Sequence, residues 1–153
     1  MKKIIFTSVI ALIPFFIFAQ NSWQKRTSFP GSKRARSVAF SIGARGYLAT
    51  GEDTLDIEKN DLWEYDPGSD AWTQKANLPG AGRRDAIGFA IGNKGYVGTG
   101  IDASMSQLGN VLTDFWEYSP VTNTWASKAA YPGSFNQGVY MATAFVVNNK
   151  GYV

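Results

Sequence analysis

From position 38 onward, hydrophobic and polar residues fall into short alternating runs separated by turn residues. Val38 to Ile42 alternates small and apolar side chains, and Tyr47 to Thr50 follows as a second run. In a third, Leu62 to Tyr65, a strand would put Trp63 and Tyr65 on one face and Leu62 and Glu64 on the other. Trp72 to Lys75 is a fourth. Ala44-Arg45-Gly46 and, later, Asn93-Lys94-Gly95 read as tight turns in which Gly supplies a positive φ. Asp66-Pro67-Gly68-Ser69 is a turn cluster. Strands this short and evenly spaced predict an all-β sandwich, barrel or propeller.

A repeat narrows the choice. Three segments open on Trp and reach Pro-Gly seven residues later: WQKRTSFPG from Trp23, WTQKANLPG from Trp72 and WASKAAYPG from Trp125. RSVAFSIGARGYLATG, ending at Gly51, matches DAIGFAIGNKGYVGTG, ending at Gly100, and a third copy, ATAFVVNNKGYV, runs to Val153. DLWEYDP from Asp61 matches DFWEYSP from Asp114. The Trp markers are 49 and then 53 residues apart, and the four extra residues all lie between Gly100 and Asp114. Insertion confined to one loop means fixed strands and free loops, and a period of roughly 40 to 50 residues is that of propeller blades.

A Gly-ended second strand, then Tyr65-Asp66-Pro67, then Trp72 looks like the kelch repeat, over nearly all of the chain after its first twenty residues. The wording of the DFWEY and GNKGYVGTG segments resembles exported kelch proteins of Gram-negative bacteria. The family's paired Gly at the end of the second strand is replaced by Thr50-Gly51 and Thr99-Gly100, and Thr is comfortable in a strand. The resemblance implies an all-β kelch-type β-propeller, incomplete because such rings have about four to eight blades. The expected layout is a closing strand at 22–26, blades at 34–75 and 83–128, and a partial blade at 139–153. The chain thus reads as a fragment that breaks off inside a strand.

The leader alters the charge argument. Lys2 and Lys3 precede an almost unbroken apolar run from Ile4 to Phe18, and Ala19 stands before polar Gln20. That layout predicts a signal peptide over 1–19 and export to the periplasm, the cell surface or the medium. The run is short for a membrane span and holds Pro14, so no span is expected in the mature chain. Of 15 basic side chains, removal of Lys2 and Lys3 leaves 13 against 12 acidic ones, a near-neutral balance that gives no support for a nucleic-acid partner, whose footprint would be a basic face. With no Cys the fold must rest on packing, and with no His the commonest metal ligand and general base are missing. No metal or cofactor is implied.

Candidate chemistry therefore lies in the loops after the second and fourth strands, at 52–60, 101–113, 30–36, 79–85 and 132–138. Arg34, Arg36, Arg83 and Arg84 are expected near the central channel on that face, where the guanidinium fork suits a carboxylate or sulfate. The alternative is that they pair with Asp53, Asp85 or other acids between blades. Asp53, Asp56, Glu58 and Asp61 crowd one loop, but their spacing matches no EF-hand, and a solvated loop is the simpler reading. Trp63, Trp116, Tyr65 and Tyr118 occupy repeat-defining positions and read as packing rather than sugar-stacking groups. Function is then expected to be a non-catalytic scaffold that engages a glycan or a protein through variable loops on a rigid frame. Among kelch-like propellers are a copper oxidase of galactose and a bacterial sialic-acid epimerase. An enzyme is therefore the alternative, with Arg34, Arg83 and Glu52 the acid/base candidates an epimerase would require.

Overall fold

The computed structural model describes residues 23–102, 110–133 and 138–153. The expected leader lies outside these residues, as do 103–109 of the long loop and 134–137 of the third Pro-Gly segment. Twelve strands are described: β1 (Arg34–Ala35), β2 (Val38–Ile42), β3 (Arg45–Ala49), β4 (Glu52–Asp53), β5 (Leu62–Asp66), β6 (Ala71–Lys75), β7 (Ile87–Ile91), β8 (Lys94–Gly98), β9 (Phe115–Ser119), β10 (Thr124–Lys128), β11 (Phe145–Val147) and β12 (Lys150–Tyr152). The all-β expectation holds: pairing is antiparallel throughout, and the described residues form no helix, hence none long and apolar enough to cross a membrane.

Two four-stranded meanders, β2-β3-β5-β6 and β7-β8-β9-β10, share one register. Tyr47 faces Glu64 as Tyr96 faces Glu117, and Tyr65 faces Trp72 as Tyr118 faces Trp125. A third unit is represented by the β11–β12 hairpin, and β1 pairs with β4 outside the main sheets. No sheet of the described residues closes into a barrel. Residues 23–33 are in no strand, the described part of the expected closing segment included.

Two local expectations are corrected. The hairpin turns sit earlier than Ala44-Arg45-Gly46 and Asn93-Lys94-Gly95: Ile42 pairs with Arg45, leaving Gly43-Ala44 as the loop, and Ile91 pairs with Lys94. The positive φ of 57° falls on Gly43 and Gly92, the first loop position. Gly46 and Gly95 are strand residues. Second, Thr50 and Thr99 lie just beyond their strands, buried, with φ of 60° and 59°. This is a left-handed backbone that strains a β-branched residue. The chain leaves the sheet there because Thr50 N–H donates to Asp61 O and Gly51 N–H to Arg83 O, each in a different segment.

The two meanders pack face to face around Val38, Ile42, Tyr47, Ala49, Leu62, Leu78, Val97 and Tyr118. Close approach explains Gly95: a Cβ there would run into the Phe40 ring of the first sheet. Gly151 of β12 stands in the same relation to Phe89 of the second sheet. Turn residues then tie each unit to chain that precedes it. Asp70 accepts from Thr27 N–H (3.1 Å) and from the Tyr65 hydroxyl, while Trp72 Nε1 donates to Thr27 O (3.3 Å). Asn123 accepts from Ala76 N–H (2.9 Å) and the Tyr118 hydroxyl (2.9 Å), while Trp125 Nε1 donates to Ala76 O (2.8 Å). The repeat-defining Tyr and Trp thus hold neighbouring segments together.

Candidate functional site

Residues 52–58 form a small hairpin that leaves the first sheet. Glu52 bridges Glu58, Asp53 N–H donates to Ile57 O (3.1 Å), and Asp56 N–H donates to Asp53 O (3.1 Å). The Asp53 carboxylate accepts from Leu55 N–H (2.9 Å) and Ile57 N–H (3.2 Å) and is paired with Lys59. With its tip fixed in this way, Leu55 and Ile57 remain 74% and 50% exposed. In the second unit, Ile101 bridges both Arg84 and Val111, so a corresponding hairpin starts beside the first.

At the base of these hairpins the chain forms a column. Asp85 N–H donates to Arg36 O and Met141 N–H to Asp85 O, both at 3.1 Å. All three residues have left-handed backbones, with φ of 59°, 54° and 55°.

The four singled-out arginines divide into two kinds. Arg34 is buried and forks onto Asp61, with Nη2 2.9 Å from Oδ2, and reaches Thr50 O. Arg83, whose side chain is 1% exposed, forks onto Asp114 at 2.6 and 2.8 Å and reaches Thr99 O at 3.2 Å. Trp63 and Trp116 donate their ring N–H to the same two carboxylates. Arg36 and Arg84 instead share one partly buried network: Arg36 meets Glu52 (3.2 Å) and Asp85 (3.7 Å), and Arg84 meets Glu58, Glu52 (3.7 Å) and Asp85 (3.9 Å). The Arg36 side chain is 42% exposed. Sequence reasoning named Asp53 and Asp85 as possible partners. Asp85 serves Arg36 and Arg84, whereas Arg34 and Arg83 take Asp61 and Asp114. The signal for those two was an Asp placed two residues before the Trp of the third strand in both copies. Glu52 lies between Arg36 and Arg84, while Arg34 and Arg83 are committed elsewhere, so the three acid/base candidates sit in separate ion pairs. Among the described residues no group of three or more Asp, Glu, His or Cys side chains is arranged to hold a metal ion.

Burial pushes the Asp61 and Asp114 carboxyls up, but the guanidinium and indole donors outweigh it and hold both below the usual carboxylate range. Bonds from Arg45, Gly68 N–H and Ser69 bring half-buried Asp66 to about 2. Burial raises the Tyr118 hydroxyl to about 12, and burial with the bond to Glu64 raises that of Tyr47. For the carboxylates the unfolded chain takes up protons first, so their stabilisation is complete above a pH of about 4 to 5 and is lost as pH falls further. For the tyrosines the folded chain retains its protons longer, so stabilisation is present below about pH 10 and is lost as pH rises toward the folded values. Urea-unfolding midpoints should therefore form a plateau between about pH 5 and 9 and fall on both sides. A midpoint that climbs between pH 5 and 3 would contradict the acid limb.

No family model matches the chain, and no curated protein matches it. Among solved structures, that of YjhT aligns with 83% of this chain at a TM-score of 0.66 and 25% sequence identity. The alignment takes in 34% of YjhT, so this chain spans about a third of that protein's length.

Proposed function

We propose that the chain is part of an exported kelch-type β-propeller and acts as a non-catalytic binding scaffold, its partner held by the hairpins and loops around Arg36 and Arg84. The repeat supports the propeller: each meander is one blade, and the Arg36–Asp85–Met141 column runs from blade to blade at the inner end. The observation that carries the binding reading is the 52–58 hairpin. It is braced by main-chain bonds and ion pairs at its base, yet presents Leu55 and Ile57 to solvent on either side of Asp56. Ordering such a tip beforehand lowers the entropy lost on binding, and paired aliphatic anchors suit a protein surface better than a sugar. Arg36 is an exposed cation beside it. Arg34 and Arg83 support the frame.

The test is a displayed peptide library and a glycan array, both probed with the purified chain. Ligands selected on the chain should lose roughly tenfold or more in affinity when Leu55→Asp and Ile57→Asp are combined, the scale of an interface anchor. Trp23→Ala, away from the hairpin, should leave affinity unchanged. Selected ligands indifferent to the hairpin double variant would overturn the assignment of this face.

A further inference from the structure

The tip of the 52–58 hairpin uses its own main-chain donors internally. Leu55 N–H and Ile57 N–H both donate to the Asp53 carboxylate, at 2.9 and 3.2 Å, and Asp56 N–H donates to Asp53 O at 3.1 Å. Ile57 O in turn accepts from Asp53 N–H. A strand or a sugar approaching the tip would therefore find no free N–H from Leu55 to Ile57. What the tip offers is side chains: two exposed aliphatic groups with an exposed carboxylate between them. Asp56 has a φ of 57°, in the left-handed region where Asp is one of the better-tolerated side chains.

The other carboxylates of the hairpin and its junction with the second unit are matched. Asp53 pairs with Lys59 at 2.5 Å, while Glu52, Glu58 and Asp85 answer Arg36 and Arg84. Lys33 stands with Glu52, Asp53 and Thr54 in a cleft at the foot of β4, away from residues 55–57. Among the described residues the Asp56 carboxylate has neither an ion pair nor a hydrogen bond. In water that costs nothing. Contact with Leu55 and Ile57 changes the balance, because a surface that covers both takes the carboxylate between them out of water. A desolvated carboxylate needs an opposite charge or it opposes the contact.

We propose that the hairpin tip recognises a basic segment of another protein, with an Arg or Lys seated on Asp56 and flanked by apolar surface that covers Leu55 and Ile57. This rests on the binding face proposed above and adds the charge of its partner. The aliphatic contacts supply affinity, and the carboxylate supplies selection, since a neutral or acidic group in the same place would leave Asp56 buried and unmatched. A guanidinium suits the place best, because its planar fork can meet both carboxylate oxygens. Arg36 does not reverse the preference for a cation, as its guanidinium already meets Glu52 and Asp85.

The probe is a displayed peptide library, selected in parallel on the unsubstituted full chain and on its Asp56→Lys variant. Peptides selected on the former should carry Arg or Lys beside apolar residues, and those selected on the latter Asp or Glu in its place. Asp56→Asn keeps a side chain that tolerates the left-handed backbone. It should weaken the first set roughly tenfold or more, the worth of a hydrogen bond between charged groups. A selected peptide with its basic residue changed to Glu should bind Asp56→Lys and not the unsubstituted chain. Peptides that depend on Leu55 and Ile57 but show no basic preference, or that tolerate Asp56→Asn, would overturn the basic partner and leave the binding face in place. Peptides indifferent to Leu55→Asp combined with Ile57→Asp, or a library that yields none, would overturn both.

Discussion

Asp114→Ala should lower the unfolding free energy of the chain by about 2–3 kcal/mol, less than for a fully buried pair because the Asp114 side chain is 35% exposed, read as a fall in urea midpoint at unchanged slope. Arg83, whose side chain is 1% exposed in the unsubstituted chain, loses both fork bonds in that variant and among the described residues keeps Thr99 O at 3.2 Å. A guanidinium left so far from water with its charge unmatched is the expensive outcome. Trp116 Nε1, now 2.7 Å from Asp114, also loses its acceptor. Asp61→Ala should cost less, because Arg34 keeps contacts to Ser32 O, Ser32 Oγ and the face of Phe29. Replacing both charges, as in Arg83→Met with Asp114→Leu, should recover most of the loss, since well-packed apolar groups rival a buried pair. An Asp114→Ala cost below about 1 kcal/mol would place the pair in the solvated class and return Arg83 to the list of ligand groups.

Adjacent substitutions at 50 and 51 should act in opposite directions. Gly51→Ala puts a side chain on a backbone with φ of 95°, and its Cβ would collide with Ser37 Oγ and lie 2.7 Å from Ala35 O. Left-handed strain of about 1–2 kcal/mol and overpacking of about 1–3 kcal/mol predict a loss of roughly 2–5 kcal/mol. Thr50→Gly should instead stabilise by about 1 kcal/mol. It releases left-handed strain of about 1–2 kcal/mol and removes a buried hydroxyl without a partner among the described residues. Against this stand a buried methine and methyl worth about 1.6 kcal/mol together and the extra freedom of Gly in the unfolded chain, about 0.5–1 kcal/mol. Chemical denaturation of the two variants checks both signs, and a destabilised Thr50→Gly would mean that the Thr methyl packs better than its backbone suffers. Thr99 and Gly100 offer an internal replicate, at φ of 59° and 87°.

The strands were legible because their signals are local and repeated. Alternation from Val38 and the recurring WEY segments depend on neighbouring residues and on comparison of one unit with the next. The hairpin turns were misplaced because both Gly43 and Gly46 satisfy a turn pattern, and only the cross-strand pair Ile42 to Arg45 decides between them. Thr50 was misread for a related reason: its propensity fits a strand, while bonds to Asp61 and Arg83 in other segments take its backbone out of one. At the candidate site the difficulty was distance along the chain. Arg34 meets a carboxylate 27 residues on and Arg83 one 31 residues on, both delivered by the third strand of the unit. Charge alone could not separate these from Arg36 and Arg84, whose partners lie in the variable hairpin and the neighbouring unit. The exposure of Leu55 and Ile57 depends on how the hairpin tip is tied, and composition carries no trace of it.

The grip of each turn on earlier chain gives assembly a direction. Asn123 holds Ala76, 47 residues behind it, and Asp70 holds Thr27, 43 residues behind. In both ties the segment being held is made before the turn that holds it. In a chain that emerges N-terminus first, each new outer hairpin therefore meets a docking strip that is already present, and completed units can accumulate in order behind it.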